Sequence, residues 1–335
     1  MKEIKWAVLG CGVIANEMAV ALQKNGKNIY AVGNRTHEKA AAFAEKYGIG
    51  KVYDDFHEMF TDPEVDVIYI TTPHNTHLGF MKEAIANGKH ILVEKSITLN
   101  SDELDEAIAL ANELNEMAKL ADKNHVIIGE AMTIYHMPIY KELKKFLDSG
   151  RLGRVNLITM NFGSFKEYNM KNRFFNRNLA GGAMLDIGVY ALSFIRWFFD
   201  SKPDQLLSQV KPAPTGVDEQ AGLLLTNQEG QMASVMLSLH SKQPKRGMVS
   251  CENGFIEIME YPRAWEAKIT DASTGESKII KAGDNADALA YELADMERAI
   301  NGDVSAMHLD YTKDVMDLMT SFRRTWGYTY PEEEK

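Results

Sequence analysis

A glycine-rich turn between an apolar run and a helical pattern limits the folds open to this chain more than any other feature. The apolar residues 6–9 lead into Gly10-x-Gly12-x-x-Ala15, after which apolar residues recur at helical spacing. Gly10 permits a sharp turn, Gly12 lets the backbone approach a pyrophosphate, and Ala15 is small enough to pack between a helix and a strand. This order of strand, tight turn and helix is typical of a dinucleotide-binding unit.

The helix that follows the turn has a direct consequence for ligand binding. Its first N–H groups have no partner within the helix and carry a partial positive charge, which favours an anionic pyrophosphate. We therefore predict a bound dinucleotide whose first contacts are made by Gly10, Gly12, Val13 and Ile14.

Length, charge and cysteine content set the broad class. A chain of 335 residues is long enough for two domains, and we assign residues 1–122 to a dinucleotide-binding Rossmann domain and residues 123–335 to a substrate-binding and oligomerisation domain. The net charge of −10 argues against nucleic acid or an anionic membrane as a partner. The apolar stretch Ile187–Phe199 is too short to span a bilayer, and the two cysteines have no metal spacing. With no signal peptide visible, we expect a cytoplasmic protein without a metal site.

Strands and helices alternate over the first third of the chain. The predicted strands are residues 6–9, Ile29–Val32, Val65–Ile70, His90–Glu94 and Val126–Ile128. Helical patterns separate them, which predicts an α/β fold with a parallel, doubly wound sheet and right-handed crossovers.

The pattern changes after about residue 125. A strongly apolar helix is predicted from Gly181 to Phe199. Between Leu206 and Ile280, turn residues separate five predicted strands: Leu206–Val210, Ala221–Thr226, Met232–Leu239, Phe255–Met259 and Ala267–Ile269. This predicts an α+β domain with a large, mostly antiparallel open sheet. In the segment Met232–Leu239, apolar side chains occur on both faces, so we expect a homodimer formed through this sheet.

The end of the second strand bears on cofactor choice. A site that prefers NAD usually has a carboxylate about 20 residues after the glycine turn, where it bonds the ribose 2′-hydroxyl. This chain has Asn34 and Arg35 instead, and an arginine can pair with a 2′-phosphate through two hydrogen bonds. We predict NADP(H) as the cofactor, with NAD(H) as the alternative and an ordinary surface arginine as the non-functional interpretation.

The loop after the third predicted strand borders the same crevice, because the carboxyl ends of parallel strands meet at one edge of a sheet. We predict that Thr72, Pro73, His74, Asn75 and His77 contribute to the cofactor site. Asn75 is also expected to cap the next helix. The two histidines lack a third ligand nearby, which makes zinc an unfavourable interpretation.

Three residues are candidates for catalysis. Lys95 follows Glu94 at a strand end, where its ammonium could hold a substrate hydroxyl and favour loss of the proton. Asp186 and Tyr190 are four apart in the apolar helix, so both side chains share a face. Taken singly, an exposed lysine, an acid near a helix start and a packed tyrosine would each explain these residues without a catalytic role.

Together these motifs resemble the glucose–fructose oxidoreductase and inositol dehydrogenase family of nicotinamide-dependent oxidoreductases. The resemblance covers most of the chain and rests on the motifs Gly10-x-Gly12-x-x-Ala15, Asn34-Arg35, Thr72-Pro73-His74-Asn75-Thr76-His77, Glu94-Lys95 and Gly181-Gly182-Ala183-x-Leu185-Asp186-x-Gly188-x-Tyr190.

The resemblance implies a Rossmann domain followed by an open-sheet domain, an active site in the cleft between them, and cofactor contacts from Glu94 and Lys95. It also implies that Lys95 and Asp186 flank the reacting carbon. A tyrosine at position 190 is similar to the dimeric dihydrodiol dehydrogenase branch, in which it donates and accepts the proton. Ser96 stands where the family usually has proline, and residues 130–138 lack the aromatic-and-arginine pattern of that branch, so its substrate is not assumed.

The expected function is an NADP(H)-dependent oxidoreductase that acts on a CH–OH group of a sugar, a polyol or a related hydroxy-carbonyl compound. Two alternatives remain open from the sequence. One is a non-catalytic regulator that senses a dinucleotide or ligand, and the other is a glycosidase that retains its cofactor through the cycle.

Overall fold

The computed structural model describes residues 3–120 and 125–334. The chain forms two units, one made of Met1–Ala131 and Leu289–Leu309, the other of Met132–Ala288 and Asp310–Lys335. The predicted boundary between residues 122 and 123 lies outside the described residues and stays a prediction.

The first unit is built on a six-stranded parallel sheet with the order β3-β2-β1-β4-β5-β6. Its strands are β1 (Trp6–Leu9), β2 (Ile29–Gly33), β3 (Lys51–Tyr53), β4 (Val67–Ile70), β5 (His90–Glu94) and β6 (Ile128–Ala131). Every residue of β1 and β4 is fully buried, as expected of central strands covered on both faces. The strand order reverses between β1 and β4, which is where ligands bind in sheets of this kind.

Five helices connect these strands: α1 (Val13–Lys24), α2 (His37–Tyr47), α3 (Phe56–Thr61), α4 (His77–Ala86) and α5 (Ser101–Leu120). Gly48 ends α2 in the left-handed conformation, with a φ of 69°. The predicted cap at Asn75 is wrong, because Asn75 lies inside a short 3₁₀ turn over His74–Thr76, which places Thr76 at the cap position of α4.

The second unit contains an eight-stranded sheet with the order β14-β13-β12-β11-β7-β10-β9-β8, in which only β7 and β10 pair in parallel among the described strands. Its strands are β7 (Val155–Gly163), β8 (Gln205–Pro212), β9 (Asp218–Thr226), β10 (Met232–Ser238), β11 (Gln243–Cys251), β12 (Gly254–Met259), β13 (Glu266–Asp271) and β14 (Ser277–Lys281). The predicted mostly antiparallel sheet is thereby confirmed.

The first part of this unit contains α6 (Thr133–His136), α7 (Pro138–Asp148), a short 3₁₀ helix (Arg177–Leu179), a π-helical turn (Met184–Gly188) and α8 (Val189–Phe198). Helix α8 is almost wholly buried, and its Phe194 ring lies so close to β11 that a Cβ on Gly247 would sit 2.6 Å from it. Among the described residues, one stretch, Arg177–Phe198, has the length and apolar character of a membrane span, but 83% of its most apolar window is buried inside the protein. The stretch is therefore accounted for as a core helix of this unit.

Two helices complete the chain, α9 (Ala288–Ile300) and α10 (Leu309–Trp326). The segment Leu289–Leu309 belongs to the first unit, although we placed it in the second domain from sequence. Its Met307 side chain packs on β6 at Gly129, where a Cβ would lie 2.3 Å from the methionine methyl group. The absence of a side chain at Gly129 thus allows this return of the chain.

Candidate active site

The turn after β1 depends on two glycines. Gly10 has a φ of 107°, and a Cβ there would lie 2.4 Å from Thr71 Oγ1. Its N–H donates to the carbonyl of Gly33 at 2.8 Å, which joins the turn to the end of β2. A Cβ on Gly12 would meet no atom within 4 Å, so the backbone there is open to a ligand. The turn therefore fits the close approach of a pyrophosphate.

A cavity of about 360 Å³ opens beside this turn, within the first unit. It is lined by residues that follow the carboxyl ends of β1, β2 and β4 and by residues of the neighbouring helices: Leu9, Gly10, Cys11, Gly12, Asn34, Arg35, Lys39, Phe56, Thr71, Thr72, Pro73, Thr76 and Phe80. Its position matches the predicted dinucleotide site.

The predicted cofactor residues divide into two groups. Gly10, Gly12, Asn34, Arg35, Thr72 and Pro73 all line the cavity. The described lining residues do not include Val13, Ile14, His74, Asn75, His77, Glu94 and Lys95. Val13 and Ile14 occupy the first turn of α1, where their N–H groups belong to the unpaired set at a helix start.

The far end of the cavity is cationic. Arg35 precedes α2 and is exposed, and Lys39 lines the same cavity from the first turn of α2. Asn34 is held by a hydrogen bond from its side-chain amide to the carbonyl of Thr36 at 2.9 Å. Among the described residues that line this cavity, none carries a carboxylate. Lys39 was not predicted from sequence, because Arg35 precedes α2 and the two residues share no helical face.

Two phenylalanines supply the apolar part of the lining. The rings of Phe56 and Phe80 meet edge to face with centroids 5.7 Å apart, and both rings border the cavity. A planar ring, such as the base of a nucleotide, is suited to such a surface. Local periodicity does not predict this pair, because Phe56 belongs to α3 and Phe80 to α4.

Cys11 also lines the cavity. Burial raises the pKa of its thiol to about 11, although the nearby charge of Lys39 acts in the opposite direction. The thiol therefore stays protonated at neutral pH and behaves as a small packing group.

His77 requires a correction to the predicted cofactor contacts. Its ring is fully buried, with Nε2 2.8 Å from the carbonyl oxygen of Thr72 and Nδ1 3.1 Å from that of Ile97. Burial lowers the pKa of this imidazole, although the three neighbouring carbonyls favour its charged form. His77 therefore ties the loop after β4 to the loop after β5 and does not face a ligand.

The loop after β5 carries Lys95, which is half-buried. Its carbonyl oxygen lies 3.0 Å from Nε2 of His74, and the peptide bond between Lys95 and Ser96 is cis. Glu94 accepts a hydrogen bond from the hydroxyl of Tyr69. His74 and Glu94 thus support the backbone around the predicted catalytic lysine.

The predicted helical pair Asp186 and Tyr190 lies in the second unit. Asp186 is in the π-helical turn and Tyr190 in the first turn of α8. π-Helical turns occur frequently at functional sites. Asp186 pairs with the guanidinium of Arg173 at 3.2 Å, and the Tyr190 ring lies 6.1 Å from that of Phe162. Both predicted residues are partly exposed.

The described residues offer no cluster of three or more His, Cys, Asp or Glu side chains that could hold a metal ion. The first unit offers a glycine turn beside a cationic cavity. The second unit offers an acid, a phenol and an arginine.

A Rossmann unit with this cavity, followed by a large open sheet, defines a nicotinamide-dependent oxidoreductase by architecture. Comparison with known proteins supports that class. A model of an oxidoreductase family with an NAD-binding Rossmann fold matches residues 4–129, and a GFO/IDH/MocA C-terminal domain model matches residues 140–257. The chain belongs to the GFO/IDH/MocA family.

Several relatives of this chain share one enzyme name. The trans-1,2-dihydrobenzene-1,2-diol dehydrogenase of Xenopus tropicalis is 30% identical over 258 residues, which cover 76% of this chain and 74% of that protein. The enzyme of the same name from Mus musculus is 25% identical and covers 99% of both chains. The predicted resemblance to the dihydrodiol dehydrogenase branch is confirmed. The chain is an NAD(P)-dependent dehydrogenase or reductase, and this enzyme class replaces the alternative of a non-catalytic sensor.

Solved structures show the same fold. The aldose-aldose oxidoreductase of Caulobacter crescentus, complexed with glycerol, has a TM-score of 0.82 at 21% identity and covers 98% of this chain and 100% of its own. KijD10, a 3-ketoreductase from Actinomadura kijaniata in complex with NADP and TDP-benzene, has a TM-score of 0.82 at 20% identity and covers 96% and 98%. At these identities the likeness is one of fold.

Proposed function

We propose that this protein is an NADP(H)-dependent oxidoreductase that acts on a CH–OH group of a sugar, a polyol or a related hydroxy-carbonyl compound. The observation that carries the cofactor part is the cationic end of the cavity, where Arg35 and Lys39 both face the space and the described lining has no carboxylate. A 2′-phosphate would find two cations there, whereas a 2′-hydroxyl would find no carboxylate to accept its hydrogen bond.

The proposed substrate class has a separate basis. The family comparisons include an aldose-aldose oxidoreductase and a 3-ketoreductase, and the curated relatives act on a dihydrodiol, as their names state. All three names describe a hydroxyl-bearing or ketone-bearing carbon. Asp186 and Arg173 add polar groups that can bond several hydroxyls at once, which suits a polyhydroxy compound.

The residues of this chain have distinct proposed roles. A bound nicotinamide supplies the hydride donor or acceptor. Tyr190 gives or takes the hydroxyl proton, and Lys95 polarises the substrate oxygen. Asp186, paired with Arg173, bonds a substrate hydroxyl or orients the tyrosine.

The cofactor proposal is tested by steady-state kinetics with NADPH and NADH on a panel of aldoses, ketoses and diols. We expect kcat/KM with NADPH to exceed that with NADH by about 10- to 100-fold, since hydrogen bonds to a charged group contribute about 1.5–3 kcal/mol. Equal values, or a preference for NADH, would reject the assignment. The same assay tests cofactor-assisted glycoside cleavage, because stoichiometric accumulation of reduced or oxidised cofactor would contradict a retained cofactor.

We also propose a homodimer formed through the open sheet. One face of β10 is buried at Ala233 and Val235, whereas Met232 and Met236 on the other face are 41% and 57% exposed. Leu207 of β8 adds to this outer face with 69% of its surface exposed. An extended apolar sheet face is typical of an interface between chains. Analytical ultracentrifugation should show a dimer at micromolar concentration, and a monomer at all concentrations would remove the proposal.

A further inference from the structure

The last residues of the chain contact the start of the helix that carries Asp186 and Tyr190. We refer to residues 328–334 as the C-terminal segment; it follows α10 after a turn at Gly327, whose φ is 73°. Tyr330 in this segment is fully buried, and its hydroxyl donates to the carbonyl of Gly181 at 2.8 Å, across 149 positions of sequence. The backbone just before the π-helical turn is therefore held by a side chain that is distant in sequence.

A second contact runs through Asp218. The hydroxyl of Tyr328 donates to Oδ1 of this carboxylate, and Oδ2 accepts a hydrogen bond from the N–H of Met184 at 2.6 Å. Asp218 is fully buried, and a Cβ on Gly182 would lie 2.1 Å from its Oδ1. The position after Gly181 therefore requires glycine, and Asp218 links the C-terminal segment to the first residue of the π-helical turn.

The C-terminal segment has its own buried anchor. Arg323 of α10 is 2% exposed, and its two terminal nitrogens donate to the two carboxylate oxygens of Glu333 at 2.8 and 2.7 Å. The same carboxylate accepts the N–H of Tyr330 at 2.7 Å, and the guanidinium lies 4.6 Å over the Tyr330 ring. A forked, charge-assisted pair of this kind is geometrically specific, so it holds Tyr330 in one orientation.

A third contact reaches the chain immediately before Gly181. Nε of Arg177 donates to the carbonyl of Thr329 at 2.8 Å, and the same guanidinium pairs with Glu334. The C-terminal segment therefore contacts Arg177 and Gly181 directly and is linked to Met184 through Asp218.

We propose that the C-terminal segment is a positioning element, which sets the start of the helix bearing Asp186 and Tyr190 and thereby the orientation of both side chains. This inference rests on the proposed function for the catalytic roles of those two residues. A π-helical turn is an uncommon geometry that context must support, and the contacts through Tyr330 and Tyr328 supply that support at Gly181 and Met184. Misplacement of a reacting group by about 1 Å can lower a rate about 100-fold.

The test uses Tyr330→Phe and Tyr328→Phe in the full chain. Each substitution removes one hydroxyl and keeps the ring, so the stacking of Arg323 on position 330 persists. We expect backbone amide hydrogen exchange in residues 181–190 to become about 3- to 10-fold faster, since one net hydrogen bond contributes about that factor to a local opening equilibrium. We also expect kcat to fall about 10-fold while KM for NADPH changes less than about twofold, because a positioning defect acts on the chemical step.

Tyr53→Phe is the matched control. Tyr53 also donates to a carboxylate, Asp62, at 2.5 Å, but it belongs to β3 at the edge of the first unit's sheet. It should leave exchange in residues 181–190 and kcat at wild-type values. A C-terminal segment with only a structural role would lower the melting temperature in the position 328 and 330 variants but leave kcat of the folded protein unchanged, which would overturn the proposal.

The two variants are independent, so a failure of one to fold leaves the other as the test. Failure of the proposed function has a different signature, because Tyr190→Phe would then retain full activity. Failure of the present inference appears as unchanged exchange across residues 181–190 in both the position 328 and 330 variants, whatever the substrate of the enzyme is.

Discussion

The two units present their ligand-facing groups by different means. In the first unit, backbone contacts between neighbouring strand ends shape the cavity: Gly10 N–H donates to the Gly33 carbonyl at 2.8 Å, and Thr71 N–H donates to the Leu9 carbonyl at 2.9 Å. In the second unit, side chains distant in sequence hold the helix start, as Tyr330 does at Gly181. A site formed by strand ends follows from sheet topology, whereas a site held by remote side chains depends on which particular groups pack together.

The two units also handle charge differently. The cations Arg35 and Lys39 of the first unit are exposed at a cavity and keep their solvation until a ligand binds. The charges of Asp218, Arg323 and Glu333 in the second unit are buried or nearly so and are bonded to other protein groups. Exposed cations suit binding, and buried pairs suit fixed geometry, because removing one partner leaves an uncompensated charge.

The sharpest test of this contrast is Tyr190→Phe, which should separate catalysis from binding. We expect kcat/KM to fall about 10²- to 10⁴-fold, the usual contribution of a positioned acid–base group. The dissociation constant of NADPH should stay unchanged, because the predicted dinucleotide contacts lie in the first unit. Stopped-flow or steady-state assays measure kcat/KM, and fluorescence titration measures the dissociation constant of NADPH. An equal loss of kcat/KM and of NADPH affinity would contradict the assignment of catalysis to the second unit and of dinucleotide binding to the first.

A double substitution of Arg35 and Lys39 by glutamine should affect binding alone. NADPH affinity should weaken about 10- to 100-fold while NADH affinity stays level, since only the phosphate loses charge-assisted hydrogen bonds. Lys46→Gln is the matched control, because Lys46 lies on the same helix but bonds Asn16 at 2.9 Å outside the cavity lining. Isothermal titration calorimetry distinguishes the outcomes, and an equal loss for both cofactors would contradict the role of the cationic pair.

Gly10→Ala and Gly48→Ala compare two glycines with positive φ in the first unit. Both should lose stability, because alanine at positive φ costs on the order of 1 kcal/mol. Only the change at Gly10 should also weaken NADPH binding, by about tenfold or more, since its Cβ would lie 2.4 Å from Thr71 Oγ1 whereas a Cβ on Gly48 meets nothing within 4 Å. Thermal shift with and without NADPH measures both effects, and equal binding in the two variants would remove the special role of Gly10.

A further contrast between the two units is the opposite pH dependence of their stability. Burial raises the pKa of Asp218 to about 6, so its contribution to stability is full below pH 3.8 and is lost as pH rises through 6. Burial lowers the pKa of His90 to about 4, so its contribution is full above pH 6.5 and is lost as pH falls through 4.

Substitution by asparagine tests these signs, because it keeps a hydrogen-bond acceptor at either position. The quantity compared is the change in the free energy of unfolding when the pH is raised from 4.5 to 6.5. This change should be about 1–2 kcal/mol more positive in Asp218→Asn than in wild type, and about 1–2 kcal/mol more negative in His90→Asn. Urea titrations at the two pH values provide the measurement. Changes of the same sign in both variants would contradict the contrast.

Much of the first unit could be predicted from sequence, because its signals are local. The alternation of short apolar strands with helices indicated the parallel sheet, and the glycine turn with Asn34-Arg35 indicated the cavity. Thr72 and Pro73 were predicted from their place after a central strand and do line it. His77 was misassigned because its burial depends on the loop after β5, which no local pattern reveals.

Three strands escaped prediction for identifiable reasons. β3 has only three residues, and β14 is largely exposed at the edge of its sheet. β11 contains Pro244 and Gly247, which usually argue against a central strand. In the structure it pairs with both β7 and β12, and Gly247 is required where the Phe194 ring approaches. Tertiary packing therefore outweighed local propensity there.

The sequence by itself determined the Rossmann unit, the dinucleotide turn, the open-sheet class of the second unit and the candidates Lys95, Asp186 and Tyr190, because strand and helix periodicities and a contiguous glycine motif are local properties of the chain. Only the tertiary structure decided that Lys39 joins Arg35 at the cavity and that Tyr328 and Tyr330 support the helix start at Gly181 and Met184. The hydrogen bonds from Tyr328 to Asp218 and from Tyr330 to Gly181 join positions more than a hundred residues apart, and the packing of the whole unit selects them.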